Sequence, residues 1–390
     1  MASETRPPAA HFRRVWFKPT ETFLHTTVRG FRRSRPLLVG QERAGAEAFP
    51  VDCPVLALEP PGSLARWRTE RRARRLARAP EPRFDVRRCR RALARHGARV
   101  LHAHFGYTGC HVLPLSRRTG LPLVTSFYGE DASALPRRPG WRERYAELFE
   151  AGALFLVEGP AMAQRLFALG CPREKVAIQH IAIELDRYPF RARHAKPYGA
   201  PVTLLFCASF REKKGLRFAL EALALAREKH PELVLQVIGD GPGRGEAHEL
   251  AGRLGVSDRV RWLGFVSHAE MIREMGAADL FVQPSVTAAD GDTEGGAPTT
   301  LLEAQACGLP VLATRHADIP HVVAEGDSAL LAPERDAEAL AENLRGLLDE
   351  PERWAEMGVA GRDHVERFHG APEQVARLED LYQAVAGAAA

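Results

Sequence analysis

From Val202 onward the chain repeats one pattern: a short apolar run, then a stretch with helical spacing. VTLLFCAS (202–209) reads as a strand, and GLRFALEALALAREKH follows with Leu216, Leu220 and Leu223 on one helical face. LVLQVIG is the next strand, EAHELAGRLG a helix ending at Gly255, and RVRWLGF a further strand. Ser267 and Glu270 form a capping box ahead of MIREMGAA. LFVQP, a long polar loop, the helix around TTLLEAQACG and the strand PVLAT complete the series. Such alternation builds a parallel sheet covered by helices, and ligands of such sheets bind beyond the carboxyl ends of the strands.

The first half carries the same signal less regularly, in RPLLVGQ, CPVLALEP, ARVLHAHF, LPLVTSF and GALFLVEG. RARHAKPYGAP (191–201) combines basic residues, Pro and Gly without apolar periodicity and reads as an interdomain break. A chain of 390 residues exceeds what one core usually holds. The expectation is an α/β protein of two doubly wound units, about residues 1–190 and 201–368.

Composition removes several alternatives. No uncharged apolar stretch approaches the ~20 residues of a membrane helix, and MASETRPPAAHFRR lacks the apolar core of a secretory signal. A cytoplasmic protein is expected. The six cysteines form no CxxC pair, and several sit in strand-like runs, so they read as reduced, mostly buried thiols rather than a zinc site. Net charge is +5, with 14 arginines between Pro61 and Val100. The Arg-rich segment 66–99 suits an anionic membrane surface or a diphosphate-carrying acceptor, which would make the protein peripheral at the inner face of a membrane; a solvated helix face in an Arg- and Ala-rich chain explains the same run. Nucleic acid is not expected as a partner, because no aromatic-interleaved motif accompanies the charge.

The loop after LFVQP carries the chemistry. In SVTAADGDTEGGAPTTLLEAQACGLPVLAT, Glu294 and Glu303 bracket a glycine-containing turn into a helix. Gly295 and Gly296 allow close approach of backbone to ligand, and Pro298 suits the first helical turn. The free N–H groups of that helix start favour a phosphate. Glu303, further along the helix, suits a ribose diol. Asp290 and Asp292 spell a D-x-D, a metal pair in another setting, but in this polar turn loop chemistry is the better reading. His102 and His104 alternate on one strand face, with no third ligand evident; His104 is a candidate cleft residue or a packed histidine. GDGPG (239–243) resembles a phosphate loop or a plain strand–helix connection.

EGGAPTTLLEAQACGLPVLAT resembles the signature of glycosyltransferase family 4, a retaining GT-B group, with its two glutamates followed by a small-residue segment ending in G-x-P-V. LLFCASFREKKGLRFALEAL and VIGDGPGRGEAHELAGRLGVSDRVRWLGFVSHAEM are similar to the family's donor domain, and LFALGCPREKVAIQH to the segment before the linker. FKPTETFLHTTVRGF and SFYGED resemble the acceptor side of exopolysaccharide-type members. The resemblance implies a GT-B fold, two Rossmann-like domains facing across a cleft, with the terminal helix in 369–390 crossing back onto the first.

The resemblance also implies roles. Glu294 would meet the donor sugar, Glu303 the ribose, Lys214 and Arg211 the diphosphate, and His104 the reacting centre. Gly295, Gly296, Thr299 and Thr300 would face the sugar and phosphates, with Ser209 beside them. Gly264 and Phe265 would lie near the nucleobase, and Tyr128, Asp131, Glu21 and Thr22 on the acceptor side. The implied activity is transfer of a hexose-type sugar from a UDP- or GDP-sugar to a saccharide, a lipid-linked saccharide or a small-molecule hydroxyl. The nucleotide sugar is a co-substrate, and no cofactor or metal requirement is expected. A nucleotide-sugar epimerase and a non-catalytic binding protein are the alternatives. The sequence departs from the family pattern in four places. Eight residues separate the glutamates instead of seven, the extra one falling at 296–297. Ser209 stands where an arginine is usual, with Arg211 two places on; Tyr128 replaces a histidine; HIAIE replaces a Gly-containing motif.

Overall fold

A computed structural model describes residues 7–18, 21–43, 49–58, 64, 67, 71, 84–197, 199–296 and 298–388. The chain divides into two compact units, one of Met1–Glu158, Ala163–Ala182 and Ala371–Ala390, the other of Gly159–Met162 and Ile183–Gly370.

In the first unit, β1 (Ala9–Phe12), α1 (Thr22–Gly30), β2 (Leu37–Gly40), β3 (Val55–Ala57), α2 (Val86–His96), β4 (Val100–His104), α3 (Gly106–Thr119), β5 (Leu123–Ser126), α4 (Trp141–Ala151), β6 (Leu154–Val157) and β7 (Val176–Ile178) follow in order. These strands form a seven-stranded parallel sheet ordered β3-β2-β1-β4-β5-β6-β7, and Val15–Trp16 pairs separately with Glu42–Arg43. In the second unit come β8 (Val202–Cys207), α5 (Leu216–Ala226), β9 (Leu233–Ile238), α6 (Arg244–Arg253), β10 (Val260–Gly264), α7 (His268–Ala277), β11 (Leu280–Gln283), α8 (Thr299–Ala306), β12 (Val311–Thr314), β13 (Ala329–Ala332), α9 (Ala337–Asp349) and α10 (Trp354–His369). That sheet is also parallel, ordered β10-β9-β8-β11-β12-β13. The last helix, α11 (Ala371–Ala388), belongs to the first unit.

Both sheets reverse direction of winding once, between β1 and β4 and between β8 and β11, and this is where a crevice opens for ligands. The central strands of the second sheet are mostly apolar because helices cover both faces, whereas β1 and β4 of the first bury His11, His102 and His104. Leu204, Phe206, Leu235 and Val237 are fully buried beneath α5, which turns Leu216, Ala219, Leu220 and Leu223 inward. Each such leucine contributes about 1.5–3 kcal/mol. Ser267 caps α7, with its hydroxyl accepting from Glu270 N–H and the Glu270 carboxylate accepting from Ser267 N–H, which is the expected capping box.

The basic stretch after residue 190 is docked within the second unit. Arg193 is buried and donates to the carbonyls of Met275, Ala278 and Cys307, the C-terminal carbonyls of α7 and α8. A guanidinium satisfies carbonyls that no backbone N–H can reach. The continuous part of this unit begins at Ile183, whose N–H donates to His369 O.

In α2, Cys89 and Leu93 face inward while Arg87, Arg88, Arg90, Arg91 and Arg95 are exposed. Most of residues 66–83, the rest of the Arg-rich segment, lie outside the described residues. All six cysteines are free, and Cys89, Cys171, Cys207 and Cys307 are buried. Among the described residues no helix is long and apolar enough to cross a membrane.

Candidate functional site

At the switch point of the second sheet two loops meet. The loop after β8 ends in a short turn, Glu212–Lys214, and Gly215 at φ +72° starts α5. A Cβ on Gly215 would lie 1.7 Å from Pro284 O, so only glycine lets this loop press against the one after β11. That contact sets Lys214 beside Glu294. Lys214 Nζ donates to Glu294 Oε2 at 2.6 Å, and the Ser285 hydroxyl donates to Oε1 at 2.8 Å. Burial pushes the Glu294 carboxyl up, but Lys214 and Lys213, with the Ser285 hydroxyl, outweigh it and hold the carboxyl below its usual range.

The backbone at Glu294 is fixed as well. Its N–H donates to His316 Nε2 at 3.1 Å, and His316 Nδ1 lies 2.7 Å from Glu334 Oε1. Because Nε2 accepts, the proton sits on Nδ1 and is donated to Glu334. Thr287 N–H reaches the other Glu334 oxygen at 2.8 Å. Burial raises that carboxyl, and these hydrogen bonds more than reverse it.

Lys213 donates to Asp292 Oδ1 at 3.0 Å and to Thr293 O at 2.9 Å. Arg211, half exposed, pairs with the other Asp292 oxygen at 3.5 Å. Asp290 accepts from Asp292 N–H. The D-x-D thus shapes the loop and anchors two cations.

Gly295 takes φ +85°, and Gly295 and Gly296 are buried. Ala297, part of the extra residue's position, lies outside the described residues. Pro298 is the N-cap of α8 rather than a residue of its first turn, because its ψ of 124° is extended. No side-chain hydrogen bond caps this helix at Pro298, and its first residues, Thr299 and Thr300, are partly exposed, so their N–H groups lack an intrahelical partner. Glu303 is 2% exposed. Its Oε1 accepts the Tyr188 hydroxyl at 2.6 Å and lies 3.4 Å from His268 Nε2. Arg187 donates to His268 Nδ1, which leaves the His268 proton on Nε2, pointing at Tyr188 and Glu303. Ser209 is partly exposed at the end of β8, and Gly264 takes φ +68°. Phe265 stands 63% exposed just past β10.

The first sheet's switch point holds a second group. Phe105, after β4, adopts φ +75° with ψ 140°, a conformation that costs a non-glycine residue about 1–3 kcal/mol. The Arg13 guanidinium lies 3.9 Å over its ring and binds Glu21 through two hydrogen bonds. Glu21 is therefore engaged as an ion-pair partner, next to Thr22 at the start of α1. Asp131 accepts from Gly106, Tyr128 and Gly129 N–H, tying α3 to the following loop. His104 Nδ1 meets the Tyr128 hydroxyl at 2.7 Å, and its Nε2 meets His11 Nδ1 at 3.1 Å. His102 and His104 do share one strand face, and His11 on β1 joins them, which motif reading missed because the third imidazole comes from a different strand. One ring nitrogen from each of the three lies within 4.8 Å of the others, so the group could hold a metal ion. Burial keeps all three imidazoles neutral, His11 down at about 3.

The structure thus gathers Lys214, Arg211, Glu294, Glu303, Gly295 and Gly296 in one unit, and His104, Tyr128 and Asp131 in the other. Ser285, Lys213, Tyr188, His268, His316 and Glu334 also take part. Lys213 and Ser285 sit in the same loops as Lys214 and Glu294, while Tyr188, His268, His316 and Glu334 arrive from other loops and helices, which spacing does not reveal.

Two parallel sheets of this strand order are the hallmark of a GT-B protein, and comparison bears this out. The structure superposes on Anabaena Alr3699/HepE, crystallised with UDP and glucose, with a TM-score of 0.75 at 17% identity, covering 97% of this chain and all of that one. Residues 20–187 match the Glycosyltransferase Family 4 model and residues 189–364 the Glycosyl transferases group 1 model. D-inositol 3-phosphate glycosyltransferase 2 of Catenulispora acidiphila is 30% identical over 73% of this chain and 70% of its own length. The chain belongs to glycosyltransferase family 4. WcaL of Escherichia coli, named for colanic acid biosynthesis, is 36% identical over 63% of this chain, and the match spans 61% of that relative's length.

Proposed function

We propose that the protein is a retaining glycosyltransferase that moves a hexose-type sugar from a UDP- or GDP-sugar to a saccharide or lipid-linked saccharide hydroxyl in polysaccharide assembly. The observation that carries this reading is the 2.6 Å pairing of Lys214 with Glu294 beside an uncapped helix start, at the carboxyl ends of β8 and β11. The nucleotide sugar occupies the second unit and the acceptor the first. The diphosphate meets the N–H groups of Thr299 and Thr300, with Lys214 and Arg211 as counter-charges. Glu303, held by Tyr188 and His268, offers its second carboxylate oxygen to the ribose.

Sugar transfer develops oxocarbenium character and negative charge on the departing diphosphate. Fixed ammonium and N–H groups stabilise that charge more in the transition state than in the ground state. Glu294 lies where it can contact the donor sugar and keep Lys214 oriented. Two cations and a helix start do here what a divalent metal does elsewhere. HepE was crystallised with UDP and glucose, and WcaL is named for colanic acid biosynthesis; both support this choice of donor and product. The exposed arginines of α2 suit attachment to an anionic membrane carrying the acceptor.

The test is a thermal-shift screen against UDP, GDP, ADP and their sugars, followed by donor turnover with and without saccharide acceptors. One nucleotide is expected to raise the Tm, and its sugar to be consumed faster with an acceptor. Conversion of the donor alone into an isomer would point to an epimerase, and indifference to every nucleotide would overturn the reading.

A further inference from the structure

The turn between α1 and β2 reads FRRSRP, and its three arginines have different fates. Arg33 turns to α11: its guanidinium donates to Glu379 Oε2 and Asp380 Oδ1, each at 3.0 Å, and to Ala376 O at 2.7 Å. Glu379 is 1% exposed, and its Oε1 accepts the N–H groups of Arg32, Arg33 and Ser34 at 3.2, 2.7 and 2.7 Å. One buried carboxylate therefore fixes the backbone of the whole turn.

With Arg33 committed to α11, Arg32 and Arg35 line a cleft of about 640 Å³ together with Arg29 from the last turn of α1. The other wall is the segment Pro50–Cys53. All three arginines are exposed, whereas Val28, Phe31 and Pro36 of the same lining are buried. The cleft thus has a cationic rim over an apolar interior. Arg32 Nη1 is held by backbone, donating to Arg29 O at 3.0 Å and Phe31 O at 3.4 Å, which leaves its remaining N–H groups for a ligand. Among the described residues no carboxylate pairs with Arg32 or Arg35, and Asp52 is the one acid in the lining. Ser34, also in the lining, is 9% exposed, and its hydroxyl oxygen has no hydrogen-bond partner. A buried hydroxyl left unpaired is uncommon and calls for a partner from outside the chain.

This cleft is not part of the site described above. Its walls are the residues just before β2 and just before β3, so it opens at the amino ends of these strands, whereas the substrates of such sheets lie beyond the carboxyl ends.

The chemistry selects the ligand. Three arginines against one aspartate leave a surplus of positive charge, which suits a dianion better than a single carboxylate. Guanidinium forks match phosphate oxygens two at a time, and a serine hydroxyl can donate to a third. The volume lies in the ~300–1,000 Å³ range of small-molecule sites and exceeds what a bare phosphate fills. The apolar interior takes the organic part. We propose that this cleft binds a phosphate monoester through Arg29, Arg32 and Arg35, as a second site separate from sugar transfer. The monoester has two possible sources, a soluble metabolite or the headgroup of a phospholipid. His96, in the last turn of α2, donates to Arg35 O at 2.7 Å, so the helix with the exposed arginines adjoins the rim.

The experiment uses the full chain and two probes that carry the same group. Glycerol 3-phosphate is titrated by calorimetry, with glycerate as its carboxylate counterpart. Vesicles of phosphatidylcholine mixed with phosphatidic acid are compared by flotation with vesicles containing phosphatidylglycerol, a diester, at matched zeta potential. The phosphate monoester is expected to be preferred in at least one arm, and Arg32→Gln/Arg35→Gln to weaken it by about tenfold or more. Binding of glycerol 3-phosphate identifies a soluble ligand; preference for phosphatidic acid vesicles alone identifies a lipid headgroup. Lys214→Met is expected to leave either affinity unchanged, which separates this cleft from the donor site. Arg35→Gln alone, at an exposed side chain without a protein partner, serves should the double variant lose its fold, as read from its Tm. Binding of glycerate and phosphatidylglycerol as tight as that of the monoesters would mean diffuse charge attraction and would overturn the proposal. Unchanged monoester affinity in the folded arginine variants, or no monoester binding in either arm, would overturn it as well.

Discussion

Replacing Lys214 by Met should destabilise the protein through Glu294, and the size follows from the geometry. Glu294 is 7% exposed, and its Oε2 depends on Lys214 at 2.6 Å. Removing one partner of a buried pair costs about 3–5 kcal/mol, because a charge is left stranded. Two facts reduce the figure: the Lys214 side chain keeps 19% exposure, and Lys213 still acts on Glu294. The expected loss is about 2 kcal/mol by urea unfolding. Glu294→Gln in the same chain removes the stranded charge, so the double variant should recover more than half of that loss. Turnover falls by about 10²–10³ in the single variant, as when one fixed transition-state donor is deleted. The double-mutant cycle decides: a coupling below ~0.5 kcal/mol would mean the two groups act independently and would refute the pairing as a structural unit.

Other outcomes follow from the same geometry. Gly215→Ala forces a Cβ to within 1.7 Å of Pro284 O at φ +72°, so it should cost about 3 kcal/mol or more and be seen as a marked fall in Tm; a neutral effect would mean the two loops can separate freely. Tyr188→Phe removes the hydroxyl donated to buried Glu303 and should cost about 1.5–3 kcal/mol in urea, an effect absent if Glu303 is held elsewhere. Glu294 and Glu334 have carboxyls held below their unfolded values, so their stabilisation is full above the unfolded carboxyl range and is lost as pH falls through the folded values. Glu294→Gln should therefore flatten the acid limb of a stability–pH curve, and an unchanged limb would contradict the assignment.

Fold class was legible because the apolar runs and intervening helical faces are strong period signals, and the Ser267–Glu270 capping box was readable residue by residue. The pairing of Lys214 with Glu294 was only half legible. A lysine beside a glycine and a glutamate beside two glycines each suggested an anion, yet the contact depends on Gly215 fitting against Pro284, a packing fact. Arg193 misled the reading, since a basic residue near Pro and Gly looks like a linker while its guanidinium in fact caps two helices. His11 was invisible because register between β1 and β4, not sequence spacing, brings it to His102. Tyr188 and His316 were missed for the same reason: hydrogen bonds to Glu303 and to the Glu294 backbone cross tens of residues.

Calorimetric titration of UDP, GDP and ADP into the wild-type chain and Lys214→Met addresses the donor site most directly. One diphosphate should bind, and loss of the ammonium should weaken it by roughly 10- to 100-fold, the worth of one charge-assisted hydrogen bond. Equal affinity in the two proteins, with the variant still folded, would show that the diphosphate does not sit between Lys214 and the start of α8.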